Sequence, residues 1–244
     1  MLIAIQKVFL ERDIDFFIVG AVARDIHFSS KPELAPIRKT NDVDIAVFIS
    51  DEKQFQELKK ALIDTGEFTA DAGMTIRLLF QESIEVDLLP FGDIENELRE
   101  TRIQKPRLFA MDMPGFRELL PFVEGVDLEG IEGLKIVSIE GLILLKLFAY
   151  NDDPSRNKDI TDIEHVISVY FDLYSDEVYG SYMDVMDLYS TDLRNYLELV
   201  SSRIVGRKLK VILQNSIDLF EQLEKILDKR PTDQWQEMLA GLKD

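Results

Sequence analysis

The feature that most constrains the fold is a change of hydrophobic pattern near residue 138. Before it, apolar runs of strand length alternate with helix-like segments, as in FFIV (16–19), DVDIAVFI (42–49) and SIEVDLL (83–89). After it, apolar residues recur with helical spacing and no convincing strand remains. This order predicts a small α+β or α/β domain followed by a helical domain.

The pattern also predicts where the individual elements lie. Strands are expected over 16–19, 42–49, 74–80, 83–89 and near 134–137. Helices are expected over 1–13, 21–28, 51–66, near 94–100, and over 139–151, 159–174, 176–188, 190–201, 203–229 and 232–243. Residues 31–39 read as a polar loop with prolines, and Gln81-Glu82 as the turn between two strands.

Composition excludes several classes of protein. The chain has no cysteine and two histidines, which excludes a disulfide scaffold and makes a multi-histidine zinc site a poor expectation. The net charge of −18 disfavours binding of nucleic acid over the whole surface, so any anion must be held locally. Two basic clusters, within residues 99–107 and 203–210, read as solvated faces. No signal peptide or membrane span is expected, and we predict a cytoplasmic protein.

The first candidate site is the acid pair Asp42 and Asp44, which opens the strand DVDIAVFI. Side chains alternate along a strand, so both carboxylates share one face while Val43 and Ile45 share the other. Two carboxylates one pleat apart can converge on a cation. The alternative is a solvated strand face, but the apolar Ala46 on the face of the acids favours the rim of a cleft.

A third carboxylate follows in the strand IEVDLL. Asp87 shares its face with Glu85, and if this strand neighbours 42–49, Asp87 reaches the same point as the acid pair. Oxygen ligands from two strands, together with nucleotide phosphates, would suit two magnesium ions.

Gly20 and Ala21 stand where a strand ends and a helix begins at once. Free backbone N–H groups at such a helix start can hold a phosphate. The alternative is a glycine required only by the backbone of the turn, with Arg24 and Asp25 as a local ion pair.

Lys146 interrupts the helix SIEGLILLKLFAY, which is apolar almost all round. A buried lysine requires a partner, either a carboxylate or a nucleotide triphosphate, unless its side chain extends to solvent. Asp159 and Asp162 share a face of the next helix and are candidate partners. The alternative is that they are acids favoured at a helix N-terminus.

Four blocks in order carry a family resemblance. VGAVARD, TNDVDIAV and IEVDLLPFG resemble the nucleotidyltransferase superfamily that includes DNA polymerase β and the CCA-adding enzymes. The stretch LKIVSIEGLILLKLFAYNDDPSRNKDITDIEHVI is similar to the downstream block of the AbiEii/AbiGii group, nucleotidyltransferases found as toxins of type IV toxin–antitoxin systems. The resemblance covers about residues 14–170.

The resemblance implies a fold and roles for residues. It implies a nucleotidyltransferase core with a mixed sheet flanked by helices at 1–110 and a mainly helical domain at 111–244. The metal ligands would be Asp42, Asp44 and Asp87, and Asp87 would also activate the acceptor. Gly20 and Ala21 would form the turn at the nucleotide phosphates. Lys146 would contact the triphosphate, and Asp159 would be the acidic residue of the last block. Ala21 departs from the usual Gly-Gly or Gly-Ser turn and offers only its N–H.

The implied reaction is transfer of a nucleoside monophosphate from an NTP to an acceptor hydroxyl, with two Mg²⁺ ions as cofactors. The acceptor stays open between an RNA end, a protein and a small molecule. A toxin role, with an antitoxin partner, is also implied. The alternative from a different class is a non-catalytic module for nucleotide binding or protein interaction that retains the fold.

Overall fold

A computed structural model describes residues 1–29, 31 and 42–244. By their internal contacts these residues form two compact units. Unit 1 contains residues 1–26 and 42–138, and unit 2 contains residues 27–29, 31 and 139–244. The proline-containing loop predicted over 31–39 lies outside the described residues, apart from Lys31.

Unit 1 contains all the strands of the described chain and five of its helical segments. The strands are β1 (Phe16–Val19), β2 (Asp42–Phe48), β3 (Phe68–Ala70), β4 (Arg77–Phe80), β5 (Ile84–Phe91), β6 (Glu100–Ile103), β7 (Phe109–Asp112), β8 (Glu124–Leu128) and β9 (Ile131–Ile136). The helices are α1 (Leu2–Glu11), α2 (Gly20–Phe28, whose last two residues fall in unit 2), α3 (Glu52–Asp64), the single turn α4 (Phe116–Leu119) and a 3₁₀ turn (Leu120–Phe122).

Seven strands form one mixed sheet in the order β3-β4-β5-β2-β1-β9-β8. β2 lies at its centre, parallel to β5 and antiparallel to β1. Val43 and Ile45 of β2 are buried, as are Val86 and Leu88 of β5. The predicted α+β class with a mixed sheet flanked by helices is therefore confirmed, and its central strand begins with the acid pair.

Unit 2 is helical throughout its described part. Its helices are α5 (Ile139–Asp152), α6 (Asn157–Ser181), α7 (Met183–Met186), α8 (Tyr196–Leu213), α9 (Ile217–Asp228) and α10 (Asp233–Lys243). α8 and α10 pack closely because each carries a glycine at the contact. A Cβ at Gly206 would overlap the backbone of Met238, and a Cβ at Gly241 would overlap that of Arg203.

The predicted short helix near 94–100 is wrong. Asn96 Oδ1 accepts hydrogen bonds from the backbone N–H groups of Leu98 and Glu100, which fixes a tight turn there. Asparagine side chains that bond to nearby backbone in this way compete with helix formation. The turn leads into β6, which pairs with β7 in a separate two-stranded sheet.

The edge of the main sheet also differs from the prediction. β8, which no predicted strand covers, and β9 join this sheet through β1, and their contacts place residues 111–138 in unit 1. The domain boundary at residue 110 stays a prediction. None of the described helices is long and apolar enough to cross a membrane.

Candidate active site

Four acidic side chains lie on one face of two paired strands in unit 1. β2 and β5 run parallel, with Asp42 opposite Glu85 and Asp44 opposite Asp87. Residues opposite each other in such a pair point to the same side of the sheet, about 4.8 Å apart along the hydrogen-bonding direction. Asp44 and Asp87 are half-buried and Asp42 is exposed, which gives this face an open side. β2 and β5 are therefore neighbouring strands, as expected.

Gly20 lies against Asp44. It follows β1 directly, begins α2, and has a φ of +67°, a conformation that favours glycine. A Cβ at this position would overlap the Asp44 carboxylate. The absence of a side chain therefore lets the start of α2 approach the acids, which explains the glycine by close contact as well as by backbone conformation. Ala21 follows in the first turn of α2 and is half-buried.

Arg77 is the cation of this sheet face. Its Nε donates to Asp87 Oδ1 at 2.7 Å and its Nη2 donates to Oδ2 at 2.8 Å, a bidentate arrangement. Its Nη1 also forms an ion pair with Glu85. The hydrogen bond to Asp87 is the main cause of the raised pKa of Arg77. Both oxygens of Asp87 are therefore engaged by a charged partner that the sequence reasoning missed.

The pairing of Arg77 depends on the register of the β4–β5 hairpin. Phe80 pairs with Ile84, and three residues further along each strand this register puts Arg77 opposite Asp87, where opposite charges interact directly. The predicted two-residue turn at Gln81-Glu82 would pair Phe80 with Ser83 and put Arg77 opposite Val86. The sequence reasoning therefore gave no signal for this ion pair.

The donor chemistry of this face fits a hard divalent cation. Magnesium prefers carboxylate oxygens, water and phosphate, and Asp42, Asp44 and Asp87 supply carboxylates on one face. Within the described ranges, however, no three acidic or histidine side chains are gathered around one point as metal ligands. Each oxygen of Asp87 accepts one hydrogen bond from Arg77 and keeps a second lone pair with which it could bind a cation.

The second set of predicted residues lies in unit 2, where α5 and α6 meet. Lys146 Nζ donates to Asp159 Oδ1 at 3.0 Å and to Asp162 Oδ2 at 2.7 Å. Arg156 Nε donates to the other oxygen of Asp159 at 2.6 Å. Both aspartates are buried, and Lys146 is 17% exposed at its side chain. The carboxylate partner expected for a lysine in an apolar helix is thus Asp159 together with Asp162.

The contacts of this cluster join two cations, Lys146 and Arg156, to two carboxylates, Asp159 and Asp162. A lysine ammonium has three donors, and Lys146 uses two of them on described residues. One N–H is left for an outside acceptor, such as a phosphate oxygen. The prediction that Lys146 faces the same cleft as the strand acids stays a prediction.

Comparison with known proteins gives one family match. The family described as nucleotidyl transferase AbiEii toxin, type IV toxin–antitoxin system, matches residues 12–244. No curated protein matches the chain.

Solved structures give remote likenesses. The lincosamide antibiotic adenylyltransferase LnuA, bound to lincomycin, is 17% identical with a TM-score of 0.41, over 69% of this chain and 95% of that one. ANT(2'')-Ia in complex with adenylyl-2''-tobramycin is 13% identical with a TM-score of 0.39, over 78% and 97%. An antigenic nucleotidyltransferase-like protein from Paracoccidioides brasiliensis is 17% identical with a TM-score of 0.42, over 76% and 88%.

Proposed function

Because this chain belongs to the AbiEii family of nucleotidyltransferases, we propose that it transfers a nucleoside monophosphate from an NTP to an acceptor hydroxyl. The hydroxyl oxygen bonds to the α-phosphorus, the bond from that phosphorus to the bridging oxygen breaks, and pyrophosphate leaves. The hydroxyl proton passes to a base.

One observation carries this proposal. Asp44 and Asp87 are opposite each other on paired strands, and Gly20 at the start of α2 packs against Asp44. A helix start presents backbone N–H groups that favour anions, while the neighbouring acids favour cations. A triphosphate and its counter-ions need both kinds of partner within one short distance.

We assign Asp42 and Asp44 as the residues that would hold divalent metal, with Asp87 as a third ligand through a lone pair that Arg77 does not use. Bound magnesium would neutralise charge on the phosphates and on the leaving group. Two ions are part of the proposal because the family resemblance implies them.

Asp87 is proposed to accept the proton of the acceptor hydroxyl. A general base must come within hydrogen-bond distance of the proton it removes. Both Asp87 oxygens accept a hydrogen bond from Arg77, and a remaining lone pair would take the proton. Arg77 would keep the carboxylate oriented.

Phosphate binding is assigned to the turn at Gly20 and Ala21 and to Lys146. Ala21 supplies a backbone N–H but lacks the hydroxyl that a serine would add. Lys146 would donate its third N–H to the β- or γ-phosphate while Asp159 and Asp162 hold its other two.

The acceptor is proposed to be an RNA end, a protein hydroxyl or a small molecule. The family description also supports a toxin role with an antitoxin partner. Expression in a bacterial host without an antitoxin is expected to arrest growth.

The test measures pyrophosphate release with each of the four NTPs and Mg²⁺, in the presence of an RNA pool, a protein extract or a small-molecule library. Labelled nucleotide then identifies the product. The variant Asp44→Asn should lose most of the activity and the growth arrest. The matched control Asp64→Asn removes an exposed acid of α3 and should retain both. If Asp44→Asn keeps full activity, the assignment of this face is wrong.

A further inference from the structure

A cavity in unit 2 is lined by residues that are assigned no role above, and one of them, Tyr150, lies one turn of α5 beyond Lys146. The cavity has a volume of about 350 Å³ and is lined by Tyr150, Asn151, Pro154, Ile226, Lys229, Arg230 and Trp235. Small-molecule sites span roughly 300–1,000 Å³, so this cavity has room for one small ligand.

The charge of the lining is unusual for this chain. The protein carries 46 acidic residues, yet none of them lines the cavity, whereas two basic residues do. Lys229 Nζ donates to the neutral Asn151 Oδ1 at 2.8 Å, and the described part of the chain offers it no carboxylate. Arg230 uses Nη2 on Glu164 at 2.9 Å. The lining therefore carries two basic side chains and no acidic one, and Lys229 is exposed to solvent.

The other walls are aromatic and apolar. The rings of Tyr150 and Trp235 meet edge to face with centroids 6.4 Å apart. The Arg230 guanidinium lies over the Trp235 ring, 5.5 Å from its centroid, and Arg230 and Tyr150 both line the cavity. Trp235 is almost fully buried, and its indole N–H has no hydrogen-bond partner among the described residues.

We propose that this cavity binds a single nucleotide unit, in addition to the NTP used in the reaction. The base would pack against Tyr150 and the guanidinium plane of Arg230, a pairing common in nucleotide recognition. The phosphate would bind Lys229. A simple inorganic anion would leave the aromatic walls unused, and an uncharged aromatic ligand would leave Lys229 unused.

The experiment uses Trp235, which is the only tryptophan of the chain. The intact protein is titrated with AMP, GMP, CMP and UMP in EDTA, and both tryptophan emission and the indole N–H resonance are followed. Excitation at the red edge of the absorption band limits interference from the bases. We expect a saturable change with the nucleotides, and a much weaker one with inorganic phosphate or adenosine.

Variants decide the assignment. Lys229→Ala should weaken nucleotide binding about tenfold, the effect of losing one charge-assisted contact. Lys225→Ala, an exposed lysine of α9, should leave binding unchanged. Asp44→Asn should also leave it unchanged, which separates this site from the proposed reaction centre.

Three results would overturn the proposal. One is that neither the emission nor the indole resonance responds to any nucleotide. Another is an equal response to inorganic phosphate alone, which would identify a plain anion site. The last is a response that survives Lys229→Ala and disappears in Asp44→Asn, because it would then arise at the sheet face of unit 1.

Discussion

Replacing Arg77 by methionine tests the ion pair that holds Asp87. The change keeps an unbranched apolar stem and removes the guanidinium that binds both oxygens of Asp87 and pairs with Glu85. Asp87 then remains half-buried beside Glu85 and opposite Asp44 without its cation. We expect the metal-free protein to lose stability.

The size of the loss follows from burial. The side chains of Arg77 and Asp87 are 22% and 14% exposed, between a surface ion pair and a buried one. Exposed pairs contribute up to about 1 kcal/mol, and breaking a fully buried pair costs about 3–5 kcal/mol. We therefore expect Arg77→Met to lower the free energy of unfolding by about 2 kcal/mol.

Urea unfolding followed by circular dichroism measures this loss, and amide hydrogen exchange over residues 77–91 assigns it to the β4–β5 hairpin. The matched control is Arg102→Met, which breaks an ion pair with Glu100 at a position where the arginine is 62% exposed. Because this pair is exposed to solvent, that control should leave the free energy of unfolding close to the wild-type value.

A double-mutant cycle with Asp87→Asn decides between pairing and mere packing. If the arginine acts through Asp87, Arg77→Met should cost about 1–2 kcal/mol less in the Asp87→Asn background. An equal cost in both backgrounds would refute the reasoning. If metal binds this face as proposed, Mg²⁺ should also recover part of the loss in the Arg77→Met protein.

Three further predictions concern stability. Asp44→Asn should leave the metal-free protein as stable as wild type or slightly more stable, because neighbouring acids repel, and a marked loss in thermal melts would make Asp44 structural. Gly20→Ala should lower the free energy of unfolding by at least about 1 kcal/mol, because φ is positive there and the new Cβ overlaps Asp44. The loss should be smaller in an Asp44→Ala background, and equal losses in both backgrounds would disprove the contact. Burial lowers the pKa of Lys59. Between the folded pKa of Lys59 and the ordinary lysine value, the unfolded chain therefore holds a proton that the folded chain has lost. In that pH range the free energy of unfolding of the wild type, relative to that of Lys59→Met, should rise with pH. Urea unfolding across that range measures the difference, and parallel curves would contradict it.

The sequence predicted those parts of the fold that depend on periodicity. Alternation in β2 put Asp42 and Asp44 on one face, alternation in β5 put Glu85 and Asp87 on one face, and parallel pairing made Asp44 and Asp87 neighbours. The helical spacing after residue 138 was equally clear. The predicted break between two helices near residue 175 corresponds to a kink in α6, where Tyr174 departs from helical backbone angles.

The parts that escaped prediction depend on contacts that no period encodes. β8 is a half-exposed edge strand of sequence EGVDL, with two apolar residues, so it lacks a strand pattern. The turn before β6 is set by the side chain of Asn96 and not by hydrophobic spacing. Arg77 was overlooked because a strand arginine is usually a solvated residue, and its partner is visible only when the hairpin is counted in register.

The contact between Gly20 and Asp44 has a consequence for judging whether a related sequence retains a working site. Aspartates at alternate strand positions are common on ordinary solvated sheets, so the acid pair alone is a weak marker. Any residue larger than glycine at position 20 would force the carboxylate of Asp44 to move. A sequence that keeps both acids and replaces this glycine has therefore lost the geometry, and the least reactive residue of the site is its most informative one.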